Sequence, residues 1–269
     1  MQLLPNAKIN IGLNVGNTRP DGYHNIETVF YPIGLHDVLD IRPTDEPTTF
    51  TTNGINIDCD TEQNLIIRTL RIFQQQFHIG NVTIQLTKNI PFGAGLGGGS
   101  SDAAFTAYGL NLLFGLNLKP QQLADIVAPI GADCPFFIYN QPMFAQGIGE
   151  QLTPLTLNLT GLWLALVKPD IKISTSTAYK QITPKPLNQQ LKLHISQPVQ
   201  TWTQNIHNSF EQSVFPHYPL LAKIKNLFYQ SGALYASMTG TGAAVYALFN
   251  HKPLLTENLS QHFTFIQQL

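Results

Sequence analysis

The chain has 269 residues, 15 basic and 16 acidic side chains for a formal net charge of −1, and 43% hydrophobic residues. That length supports a large core in one domain or two, and so balanced a charge argues against nucleic acid or an anionic membrane as partner, since both demand dense positive patches. No apolar stretch is long enough to cross a bilayer and Met1-Gln2-Leu3-Leu4-Pro5 is not a signal peptide, so a soluble cytoplasmic protein acting on a small molecule is expected.

Only Cys59 and Cys134 occur, outside any C-x-x-C or Cys/His cluster, which excludes a disulfide framework and speaks against structural zinc. Charged residues make up only 12% of the chain, and such weak self-repulsion fits a monomer or weak homodimer.

In chain order, alternating apolar residues predict strands over 7–15, 38–41, 49–52 and 82–87, with a turn at 17–22. Leu65, Ile66, Leu70 and Phe73 predict a helix over 63–77. A second helix starts near Ser100 and runs through Ala104, Ala107, Leu110 and Phe114. The apolar run 162–167 reads as a buried strand, and the Pro- and Asn-bearing stretch 153–160 before it sets the expected boundary between domains 1–156 and 157–269. Residues 183–200 read as a long irregular connection, 218–231 as a helix, and 235–238 and 244–249 as strands around a second glycine turn. The class is α+β.

Between the strand 82–87 and the helix lie Pro91, Phe92, Gly93, Ala94, Gly95, Leu96, Gly97, Gly98, Gly99, Ser100 and Ser101. Glycine takes positive φ and lets the backbone approach a ligand, and bare N–H groups ahead of a helix N-terminus form an anion cradle. A triphosphate suits it. Two other phosphate signatures fail here. The dinucleotide fingerprint needs an acidic residue about twenty positions on at the end of a second strand, and the P-loop needs a Lys after the glycines.

The stretch 91–104 resembles the second motif of the GHMP kinases, Pro5 to Leu13 their first, and Ser237 to Ala244 their third. The resemblance implies the family's two-domain fold, a first domain like domain 2 of ribosomal protein S5 and a ferredoxin-like second. It also implies a small-molecule kinase that uses ATP with Mg²⁺. Asp21-Gly22-Tyr23-His24 and Gly131-Ala132-Asp133-Cys134-Pro135-Phe136-Phe137 are similar to the members acting on an alcohol with a cytidine diphosphate moiety, in the non-mevalonate isoprenoid route.

Within that resemblance Asp133 is the candidate base for the alcohol, its bland alternative being a helix cap. Lys8 is its cationic partner, placed to stabilise the incoming alkoxide, and Asn10, two residues on and on the same face of the strand, orients the substrate. Asn64 and Lys88 resemble positions near the nucleotide. No cage of acidic ligands is evident, so Mg²⁺ is expected on substrate phosphates and waters, with Ser100 or Ser101 touching a phosphate or such a water. Tyr23 and His24 suit stacking on and hydrogen bonding to cytosine, Tyr179 in the segment carrying Thr175 supplies the opposite aromatic, and Thr239, Gly240 and Thr241 form the third motif's contact with substrate. Two alternatives stand beside this reading: a GHMP kinase for mevalonate, homoserine or a sugar, and a nucleotide-binding sensor without catalysis.

Overall fold

The structure is a computed structural model that describes residues 1–56, 60–180 and 182–269. Its strands are β1 (Gln2–Leu3), β2 (Asn6–Thr18), β3 (His24–His36), β4 (Val38–Pro43), β5 (Thr49–Gly54), β6 (Val82–Lys88), β7 (Met143–Gln146), β8 (Gln151–Pro154), β9 (Trp163–Lys168), β10 (Tyr235–Met238), β11 (Val245–Phe249) and β12 (Phe263–Gln268). The helices are α1 (Leu65–Phe77), α2 (Gly98–Leu113), α3 (Pro120–Val127), α4 (Cys134–Tyr139), α5 (Thr175–Lys180), α6 (Gln190–His194), α7 (Trp202–Asn205), α8 (Phe210–Val214), α9 (Pro219–Gln230) and α10 (Glu257–Ser260).

Two compact units interleave along the chain, one of residues 1–8, 34–92 and 97–141, the other of 9–33, 93–96 and 142–269. Residues 9–33 and 142–156, which the linear boundary at 156 would give to the first half, group with the second unit.

The first unit holds a sheet in the order β1-β4-β6-β5, antiparallel except for the β5–β6 pair. In β6 the residues Val82, Ile84, Leu86 and Lys88 all turn inward, the period of two that a half-buried strand requires. Helices α1 to α4 cover that face. Their Ile66, Leu70, Phe73, Ala103, Ala107, Leu110, Leu123 and Val127 share one core with Leu39, Ile41, Ile84 and Leu86. The apolar spacing of α1 meets this need, with Ile66, Leu70 and Phe73 on one helical face.

The second unit carries an antiparallel sheet in the order β10-β11-β9-β12, with helices between β9 and β10 and α10 between β11 and β12. That is the ferredoxin-like arrangement. Strand β11 is buried along its whole length, and its core includes Phe210, Leu221, Ile224, Phe228 and Met238. A further sheet, β2-β3-β7-β8, joins β2 and β3 to the hairpin β7–β8.

Most predicted elements lie within a residue or two of their place. Strand β3 escaped prediction because Pro32 and Gly34 interrupt its apolar pattern, although it runs for 13 residues. The stretch 183–200, expected to be irregular, contains the short helix α6 and begins a 3₁₀ turn at Val199–Thr201. Cys134 is a buried free thiol, and Cys59 lies outside the described residues.

Candidate active site

In the first unit, Lys8 on β2 points its ammonium at Asp133, with Nζ 3.4 Å from Oδ2. The Lys8 side chain is 4% exposed and that of Asp133 31%, so the carboxylate is the reachable partner. Asp133 occupies the position just before α4, yet its side chain makes no capping bond. The Asp133 backbone is already helical (φ −83°, ψ −13°) where a capping residue is extended, and Pro135, second in the helix, has no N–H to offer.

The glycine loop ends at the same place. Gly97 has φ +72°, and a Cβ there would lie 2.8 Å from the Phe137 ring and 3.2 Å from Lys8 Cε. Lys8 therefore abuts the chain where α2 begins, and only glycine fits at that position. In the second unit Gly95 has φ +74°, and a Cβ would meet the Thr239 carbonyl oxygen at 2.1 Å. Of the remaining loop residues, Phe92, Gly93 and Gly99 are exposed, Pro91, Ala94 and Leu96 are buried, and Gly98 and Ser100 are half-buried.

Ser101 opens α2 with its backbone N–H donating to the Gly97 carbonyl (2.9 Å). Its buried hydroxyl has no hydrogen-bond partner among the described residues of the chain. The Ser100 hydroxyl bonds the Cys134 thiol, which burial nonetheless pushes up to about 12, so this cysteine is an inert filler.

Two expected nucleotide residues have partners within the protein. The Asn64 side chain caps α1, its Oδ1 accepting from the Ile66 N–H at 2.9 Å. Lys88 is buried, its ammonium donating to Asp37 and, at 2.8 Å, to Asp102. Neither carboxylate is evident from a motif, but continuing the inward alternation of β6 to Lys88 shows that an ammonium must be met by acids inside.

The second unit gathers the residues expected at the substrate. Thr239 is fully buried: its hydroxyl accepts from the Asn10 N–H (3.0 Å) and lies 3.2 Å from Asn10 Oδ1 and 3.1 Å from the Gly95 carbonyl. Asn10 is buried too, with Nδ2 donating to Thr28 (3.0 Å). Thr239 thus ties the first and second motifs together from within. Asn208, which no motif announces, donates from Nδ2 to the carbonyls of Met238 and Gly240, both at 2.8 Å, and holds the turn bearing Gly240 and Thr241.

His24 and Tyr179 stack with ring centroids 5.4 Å apart and planes at 24°. The His24 Nδ1 lies 2.9 Å from the Gly16 carbonyl oxygen, so it carries the proton and leaves Nε2 able to accept. Tyr179 also meets Phe210 edge-on at 4.8 Å. Tyr23 stands 61% exposed beyond the turn closed by Asp21, and Thr175 is exposed at the start of α5.

Among the described residues no cluster of three or more His, Cys, Asp or Glu could hold a metal ion, and no helix is long and apolar enough to cross a membrane.

Replacing Gly97 by Val should weaken ATP binding at least about tenfold more than it weakens binding of the second substrate, because a β-branched residue resists positive φ and presses on Phe137 and Lys8. Calorimetric titration of each ligand measures this, and equal nucleotide affinity in a folded variant would remove Gly97 from the cradle.

The family description "GHMP kinases N terminal domain" matches residues 64–141, and "GHMP kinases C terminal" matches 196–263. A curated 4-diphosphocytidyl-2-C-methyl-D-erythritol kinase of Parabacteroides distasonis is 50% identical over 93% of this chain and 92% of its own length. That of Chlorobium chlorochromatii is 38% identical over 93% and 88%. A crystal structure of 4-(cytidine 5'-diphospho)-2C-methyl-D-erythritol kinase superposes with a TM-score of 0.76 at 31% identity, covering 92% of this chain and 90% of its own. A Methanococcus jannaschii mevalonate kinase shares the fold, with a TM-score of 0.70 at 12% identity over 100% of this chain and 98% of its own. With both halves of the family matched, and full-length relatives far above the level at which a fold alone is shared, the chain belongs to the GHMP kinase family.

Proposed function

We propose that this chain phosphorylates the 2-hydroxyl of 4-diphosphocytidyl-2-C-methyl-D-erythritol with ATP. The observation that carries the reading is Lys8, whose ammonium pairs with Asp133 while its stem touches the glycine at the head of α2. A base for an alcohol and a cradle for a triphosphate thereby meet at one side chain. Relatives bearing that kinase's name match nearly the whole chain. His24 and Tyr179 stack on each other, and Tyr23, exposed on the neighbouring turn, is the open ring that supports a flat heterocycle in the substrate.

Asp133 accepts the proton of the 2-hydroxyl as its oxygen attacks the γ-phosphorus. Lys8 balances the carboxylate and then stabilises the alkoxide as it forms, and the bond between the γ-phosphorus and the bridging oxygen breaks to release ADP. The N–H groups around Gly97 and the N-terminus of α2 hold phosphate oxygens. The unpartnered Ser101 hydroxyl fits a phosphate oxygen or a magnesium-bound water. Mg²⁺ when bound offsets phosphate charge, and a site with few acidic ligands suits an ion carried largely by the nucleotide and water. Asn10, held by Thr239 and Thr28, orients the substrate. Tyr23, His24 and Tyr179 bind cytosine, with Thr175, Gly240 and Thr241 beside the rest of the substrate. The partners are two small molecules, with neither nucleic acid nor membrane, and the chain works as a monomer or weak homodimer.

A coupled assay of ADP formation should show turnover with 4-diphosphocytidyl-2-C-methyl-D-erythritol and none with mevalonate or homoserine, and the reverse preference would overturn the assignment. The Asp133→Asn variant should keep ATP affinity while kcat falls about 10²-fold or more, the scale of losing a positioned base. Turnover near wild type would make Asp133 structural. Tyr179→Leu should raise the KM for the cytidine substrate by the equivalent of about 1–3 kcal/mol with the KM for ATP nearly unmoved, since it removes a stacking face and keeps apolar bulk. A lower melting temperature with intact substrate affinity would assign Tyr179 to the packing it shares with Phe210.

A further inference from the structure

A second buried ion cluster in the first unit surrounds Lys88, which the kinase reading places near the nucleotide while leaving Asp37 and Asp102 without a task. Asp37, in the link between β3 and β4, is fully buried. Its Oδ1 accepts from the backbone N–H groups of Asn89 (2.6 Å) and Ile90 (2.8 Å), and its Oδ2 accepts from the Lys88 ammonium. Lys88 in turn donates to Asp102 Oδ2 at 2.8 Å. Residues 88–90 lead into the glycine loop and Asp102 lies in the helix that leaves it, so these three side chains tie the incoming stem to the outgoing one. The ammonium also lies against the loop's end, 3.3 Å from where a Cβ of Gly98 would stand.

Stability alone is a poor reason for such a cluster. Burying charges costs several kcal/mol per ion before pairing, and apolar side chains of similar volume often serve a core as well or better. Buried ion clusters instead suit the fixing of one geometry, and the geometry fixed here is the spacing of the two loop stems.

We infer that Asp37 is a positioning residue for the nucleotide loop, acting through Lys88 to hold both stems of the phosphate cradle at the separation that ATP requires. The inference rests on the kinase reading, because it assigns the loop to ATP. One ammonium serves two carboxylates, and they are not equivalent. Burial raises the Asp102 carboxyl above the usual carboxylate range, Lys88 opposes the shift and the Asp37 charge adds to it. Asp37 meets Lys88 and two backbone N–H groups of the incoming stem, whereas Asp102 meets the cluster only through Lys88.

The test is ATP affinity by calorimetric titration of the full chain, with KM for the second substrate and melting temperature measured on the same variants. Asp37→Asn keeps the shape and one acceptor oxygen but leaves Lys88 unmatched. It should weaken ATP at least about tenfold while the KM for the second substrate stays within about twofold, the pattern of a displaced loop in an otherwise intact enzyme. Asp102→Asn, which keeps an acceptor for Lys88 and leaves all three Asp37 contacts in place, should cost less than about a third of that factor. The double variant Asp37→Asn/Lys88→Met removes the ion pair whole and tolerates burial better. It should lose as much ATP affinity as Asp37→Asn and no more, since the two residues act as one device. An Asp37→Asn protein that binds ATP as tightly as wild type, or more tightly, overturns the inference. So does a loss shared equally by both substrates with a lowered melting temperature. Should Asp37→Asn fail to fold, wild-type ATP affinity in the double variant overturns it instead. A wild-type chain that does not bind ATP overturns the kinase reading and this inference together, whereas intact wild-type binding beside an unaffected Asp37→Asn overturns this inference alone.

Discussion

An ammonium removed from water persists only with an anion in contact, and the first unit is arranged around two lysines that meet this condition differently. Both project from strands, Lys8 from β2 and Lys88 from β6, and both side chains are 4% exposed. Lys88 faces two carboxylates as buried as itself. Lys8 faces Asp133, whose carboxylate keeps about a third of its surface open, 31%. A base that must collect a proton from a substrate has to be reachable, while a group that only holds geometry is best closed off. The two pairs differ in that respect, one open to solvent at its carboxylate and the other closed off.

The glycine loop is held from within each unit. Residues 93–96 belong to the second unit, where Thr239 binds the Gly95 carbonyl and the Ala244 N–H donates to Ala94 at 3.3 Å. Residues 97–101 belong to the first, where Ser101 starts the α2 ladder on Gly97. A free glycine-rich segment loses much conformational entropy on ordering, and these bonds meet that cost before a ligand arrives.

Substrate choice lies elsewhere than in the fold. A mevalonate kinase shares this architecture at 12% identity, so the layers of sheet and helix are compatible with more than one alcohol. The second unit carries a small aromatic group, His24 against Tyr179, with Tyr23 exposed on the neighbouring turn. Each of these contacts is a side-chain matter on a common backbone.

The elements with strong local period, α1, β6, β9 and α9, and the glycine loop between β6 and α2 were legible in the sequence, because periodicity and glycine content are properties of near neighbours. Strand β3 stayed hidden behind Pro32 and Gly34 for the same reason, its pairing with β7 being a distant one. The tertiary structure alone brought Asp133 to Lys8, 125 residues away in sequence, and Thr239 to Asn10, 229 residues away. It alone found the acids for Lys88, one of them 51 residues away at Asp37. It also decided that residues 9–33 belong with the second half of the chain. Burial makes these contacts obligatory, since a charge or hydroxyl taken out of water must find a partner wherever the fold provides one, and no local pattern records which distant residue that will be.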